Sequence, residues 1–112
     1  MQVVRDRADV AAIADEALRA LIEARIDSLM EFDDHELHEL VTFVIVEAGD
    51  TLTAIDAQLG FSIVDALPEL VEQHGGYFEI VIVVSDDGSG VEVFVPIDGD
   101  VPPELVALCT AA

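Results

Sequence analysis

The sequence predicts an α+β domain in two layers, with a long N-terminal helix and short helices packed on a small, mostly antiparallel three-stranded sheet. Three observations predict it. Residues 8–30 are rich in Ala and Leu, lack Gly and Pro, and carry apolar residues at helical spacing. Three β-branched runs follow, the last two flanking a Gly-rich polar loop. The chain has 112 residues, enough for one domain spanning 1–112, and its 53% hydrophobic content separates it from disordered acidic chains.

Each element follows from its residues. In 8–30, Leu18, Leu21, Ile22, Ile26 and Leu29 form one apolar face of a helix. Residues 31–39 are polar and acidic, suited to a short helix capped by Asp33 or Asp34, or to a loop. Residues 40–46, LVTFVIV, carry no charge and read as a buried strand. Ala48-Gly49-Asp50 makes a turn, after which Asp50 or Thr51 caps a helix that runs to about Leu59 and stops at Gly60. Residues 65–73 suit a second short helix ended by Gly75-Gly76. Residues 77–85 and 91–96 then form an antiparallel hairpin around Asp86-Asp87-Gly88-Ser89-Gly90. Pro102-Pro103 opens a final helix through Ala107, with Glu104 near its positive end. Helices on one sheet face leave the other available as a homodimer interface.

Charge narrows the partners. Lys is absent, and four Arg face 24 acids, for a formal net charge of −20. Residues 1–25 hold all four Arg and five acids; residues 26–112 hold the other 19 acids and no base. Direct binding to nucleic acid or an anionic membrane needs clustered Lys and Arg, so the expected partner is a basic protein, with nucleic-acid-binding proteins the natural class. The first ten residues lack the pattern of an export signal and no apolar run is long enough to span a membrane, so a cytoplasmic protein is expected. The single Cys109 cannot form an internal disulfide and reads as a packing residue.

On a continuous helix Asp9, Glu16, Glu23, Asp27 and Glu31 fall within about 80° of one another. They lie one per roughly 7–8 Å along the axis, against about 3.4 Å per phosphate on one DNA strand, so the stripe alone is too sparse to imitate a phosphate backbone. Asp33, Asp34, Glu36 and Glu39 would continue it. These nine acids are the expected partner-binding residues of a non-enzymatic acidic protein that occludes a basic, nucleic-acid-binding partner as a DNA mimic does. The solvated face of an amphipathic helix and adaptation of the surface to high salt account for the same acids.

No catalytic residue, metal or cofactor is expected. His35 and His38 sit in H-E-L-H-E, which lacks the H-E-x-x-H spacing of a hydrolytic zinc site. The loop 85–90 is too short for a calcium-binding EF-hand, and P-loop, dinucleotide and nucleophile-elbow motifs do not occur. His74 with Glu79 or Asp87 is the pairing an acid/base enzyme would use if the fold joined them.

Two resemblances add expectations. Val44-Ile45-Val46-Glu47-Ala48-Gly49-Asp50-Thr51-Leu52, with Ile55, Gly60 and Ser62, resembles the opening of a lysin-motif domain, a βααβ module, which implies binding of peptidoglycan or chitin. More broadly, Gly49-Asp50-Thr51, Leu59-Gly60-Phe61-Ser62, His74-Gly75-Gly76-Tyr77-Phe78-Glu79, Ser85-Asp86-Asp87-Gly88, Val93-Phe94-Val95-Pro96 and residues 104–109 resemble small acidic proteins of unassigned function carried on proteobacterial conjugative plasmids and genomic islands. That resemblance implies a mobile-element setting in which anionic inhibitors of host nucleic-acid enzymes are common, and it assigns no residue a role.

Overall fold

The computed structural model describes residues 1–30, 41–84, 90–97 and 100–110. In chain order these form β1 (Gln2–Val4), α1 (Arg7–Val10), α2 (Glu16–Met30), β2 (Val41–Ile45), α3 (Leu52–Leu59), a 3₁₀ turn (Ile63–Asp65), β3 (Leu70–His74), β4 (Tyr77–Val83), β5 (Gly90–Pro96) and α4 (Pro103–Thr110). The α+β class holds. The sheet, however, has five strands in the order β1-β2-β5-β4-β3, which corrects the expected three. It is mixed: β2 and β5 are parallel, while β1–β2, β4–β5 and β3–β4 are antiparallel.

Both additional strands are edges, where the sequence signal is weakest. β1 has three residues, too few for a period to register. β3, LVEQH, occupies the stretch whose composition suits a helix, and its residues are half-buried or exposed. The Gly75-Gly76 turn decides the outcome: with Gly75 at φ 58°, His74 comes opposite Tyr77 and the whole of β3 pairs with β4.

The predicted long helix is two helices. Asp6 caps α1 by accepting from the Asp9 amide, and Asp15 starts α2 anew by accepting from the Leu18 amide at 2.9 Å. The break drops Ile13 into the core beside Val10 and Leu18. Hydrophobic burial thus competes successfully with the continuous helical pattern that residues 8–30 suggest.

Helices lie on both faces of the sheet, so the expected two layers are three. On one face α1 and α2 pack Val10, Leu18, Ile22 and Ile26 onto Val4, Val41, Phe43, Ile45 and Phe94. On the other, Ile55 of α3, Ile63, and Leu105 and Cys109 of α4 cover Val44, Val46, Ile80, Ile82, Val91, Val93 and Val95. The face left for a homodimer by the sequence reading therefore carries helices. The caps of α3 match expectation: Thr51 Oγ1 accepts from the Ala54 amide, and Gly60 ends the helix at φ 83°, a conformation that favours glycine. Burial pushes the Cys109 thiol up to about 11, in keeping with a packing role. No helix among the described residues is long and apolar enough to cross a membrane.

Candidate functional site

Strand periodicity assembles an ionisable cluster on the α2 face. Alternate residues of β4 point to one side, so Tyr77 and Glu79 share a face, as do Glu92 and Phe94 of β5 and Glu72 and His74 of β3. Register then brings the acids together: Glu79 pairs with Glu72 on β3 and with Phe94 on β5, which leaves Glu92 on the diagonal. Glu79 stands in the middle. Glu92 flanks it on the β5 side, and Glu72 and His74 flank it on the β3 side.

Glu79 is fully buried, and Glu92 nearly so. A buried carboxylate needs a counter-charge, and α2 supplies Arg25 from above. Arg25 Nη2 donates to Glu79 Oε1 at 2.8 Å, and Nη1 donates to Glu92 Oε1 at 3.3 Å. From the other side His74 Nε2 donates to the same Glu79 Oε1 at 3.0 Å and lies 3.4 Å from Glu72 Oε2. Glu79 Oε2 is buried with no hydrogen-bond partner. Glu92 is pushed up to about 8, first by burial and then by the Glu79 carboxyl beside it, against the opposing pull of Arg25. It therefore holds a proton at neutral pH, which it can direct at the Glu79 carboxylate.

The cluster meets solvent at its β3 end, where Glu72 is 48% exposed and His74 is half-buried. A cavity of about 250 Å³ opens beside His74, lined by Asp15, Leu18, Leu21, Gly75, Gly76 and Tyr77. Burial raises the Tyr77 phenol above its ordinary value, and the Asp15 and Glu47 carboxylates add to the effect. Glu72, His74 and Glu79 each place a ligand atom within 4.8 Å of the others, so among the described residues these three could hold a cation. Among the described residues no Ser, Thr or Cys hydrogen-bonds His74, so a nucleophile–base pair is not assembled there.

The acidic stripe fares differently. The break at residues 11–15 puts Asp9 on α1 and Glu16, Glu23 and Asp27 on α2, so they do not share one continuous helix. Asp9 accepts from the Arg5 amide, and Asp27 binds Arg7 Nη2 at 2.6 Å. Glu16 and Glu23 are exposed and have no ion-pair partner among the described residues. Glu31, Asp33, Asp34, Glu36 and Glu39 lie outside the described residues, as do His35, His38 and Asp87.

Sequence reading names His74 with Glu79 as one of two alternatives, the other being Asp87, and misses Arg25, Glu72 and Glu92. The available signal is the isolated acid inside each apolar strand, F-E-I-V and V-E-V-F. Nothing in the sequence joins them to an arginine 54 and 67 positions away. No protein-family model, curated protein or solved structure matches the chain.

Proposed function

We propose that the chain is a non-enzymatic acidic binding protein that engages a basic, nucleic-acid-binding partner through its exposed carboxylates. One observation carries this reading: three of the four Arg side chains are engaged within the molecule. Arg25 is held by Glu79 and Glu92, Arg7 by Asp27, and Arg19 Nη1 donates to the Ile13 carbonyl. Glu16 and Glu23 on α2, Glu47 and Asp100 in loops and Glu104 on α4 are left exposed to water. A field of one sign speeds encounter with a basic surface and repels nucleic acid itself. Because the acids are exposed, their attraction weakens as salt shortens the screening length.

Capture from a lysate of the source cells at low and moderate salt tests the reading. A nucleic-acid-binding protein should be retained at low salt, released by competing duplex DNA, and no longer captured by a Glu16→Lys/Glu23→Lys variant. Failure to recover such a protein, or equal capture by the reversed variant, defeats the proposal.

The distribution of acids favours a second reading. Asp65 and Glu69 add exposed charge on the side of the molecule away from α2, as a surface adapted to high salt requires. That reading expects marked stabilisation between low and molar salt in an unfolding titration. The lysin-motif resemblance is not carried further, since β2 and β3, the strands on either side of α3 and the 3₁₀ turn, are separated in the sheet by β5 and β4.

A further inference from the structure

We propose that Glu72, His74 and Glu79 form a binding site for one divalent transition-metal ion. The site lies on the β3–β4 hairpin, and it is built by register. Glu72 and His74 are two apart on β3 and so share a face, while Glu79 is the cross-strand partner of Glu72. Two carboxylates directly opposite each other in an antiparallel pair repel, and a cation between them reverses that sign. The donor set of one imidazole and two carboxylates suits a borderline ion such as Zn²⁺.

The distances fit such an ion with little rearrangement. His74 Nε2 lies 3.0 Å from Glu79 Oε1 and 3.4 Å from Glu72 Oε2. Ligand bonds of about 2.0–2.1 Å in tetrahedral geometry put neighbouring donors about 3.3 Å apart. The ion would take the place of the proton that Nε2 shares with the carboxylates.

A second observation is independent of this spacing. Glu79 is completely buried, yet its Oε2 has no hydrogen-bond partner. Native structures rarely leave a buried carboxylate oxygen in that condition. Carboxylates ligate through either oxygen, so Glu79 can bind an ion through Oε1, which already lies 3.0 Å from His74 Nε2, or turn Oε2 to it and leave Oε1 to Arg25. A proton on Glu92 serves Glu79 from the β5 side but does nothing for Glu72 and His74 on the β3 side. Arg25 then acts as the outer partner that fixes the ligating carboxylate. The exposed edge of Glu72 and the cavity beside His74 give the ion a way in and leave a coordination position for water.

The test uses the full chain, purified without a histidine tag and stripped with chelator, titrated with Zn²⁺ by calorimetry and with Co²⁺ by visible absorption. One ion per chain is expected, with Co²⁺ showing the intense bands of a low-coordinate site. Glu72→Gln should weaken Zn²⁺ binding about tenfold or more, on the scale of losing a supporting ligand, and His74→Ala should abolish it. His35→Ala/His38→Ala should bind as the unmodified protein does, which separates this site from the other two histidines. Glu72 is largely solvated, so its variant remains a valid test if His74→Ala fails to fold. Absence of Zn²⁺ and Co²⁺ binding, unchanged affinity in Glu72→Gln or in a folded His74→Ala, or loss of binding in His35→Ala/His38→Ala would each overturn the proposal.

Discussion

On the face covered by α3 and α4, β2, β4 and β5 present Val44, Ile80, Ile82, Val91, Val93 and Val95 to Ile55, Ile63 and Leu105. On the face covered by α2, the same strands present Phe43 and Phe94, stacked with centroids 6.4 Å apart, but also Glu79 and Glu92. The two faces share a backbone and differ in what holds them. Apolar contacts act alike at any ordinary pH. Buried carboxylates contribute only with a counter-ion or a proton in place, and apolar residues of similar volume often do as well or better for stability. Stability alone therefore explains the first face and not the second.

Substitutions on the two faces should separate along this line. Ile80→Ala, on the apolar face, should cost about 3 kcal/mol of unfolding free energy, and urea titrations at pH 5 and pH 8 should return the same loss. Arg25→Met, on the charged face, should cost about 2 kcal/mol at pH 8, placed below the loss for a fully buried pair because Arg25 is one-third exposed. That loss should shrink at pH 5, where Glu92, pushed up to about 8, carries its proton and needs the guanidinium less; equal losses at the two pH values would mean that Arg25 acts by packing alone.

Glu92→Gln probes the same face through its proton. The folded-state value of about 8 exceeds the ordinary 4.5, so between these values the folded chain keeps a proton that the unfolded chain gives up. Stability from this group is complete below pH 4.5 and declines as pH rises through 8. The glutamine variant should flatten that decline across pH 5 to 8 in thermal melts, and an unaltered slope would assign the proton elsewhere. The smallest effect belongs to the outer side of α2: Arg7→Gln removes the solvated Arg7–Asp27 pair and should cost under about 0.5 kcal/mol, vanishing in high salt.

The apolar face was also the legible one. β2 and the β4–β5 hairpin are continuous β-branched runs, and Thr51 and Gly60 mark both ends of α3 by their side-chain and backbone chemistry. The helical pattern of residues 8–30 concealed the break at 11–15, because Ala11 and Ala12 suit a helix as well as a turn and only the core shows where Ile13 goes. β3 was illegible because an edge strand with one apolar neighbour leaves no clean alternation. The candidate site was half-legible. Glu79 and Glu92 stand out as acids within apolar strands, and the sequence offers Glu79 or Asp87 as a partner for His74, but the parts played by Glu72 and Arg25 depend on strand register and on where α2 lies.

The place of β5 in the sheet has a consequence for how the chain assembles. Residue 90 pairs with residue 41, and Phe94, close to the end of the last strand, stacks on Phe43 in the middle of the second. A growing chain that has not reached residue 90 offers β2 only the three residues of β1 to pair with, and β4 only the exposed edge β3. The local β3–β4–β5 meander closes with short loops, whereas the β2–β5 contact must bridge about half the chain and carries the larger loop-closure cost. Vectorial synthesis therefore delivers the keystone late, and until it arrives α2 has no complete floor and Arg25 lacks the Glu92 half of its counter-charge.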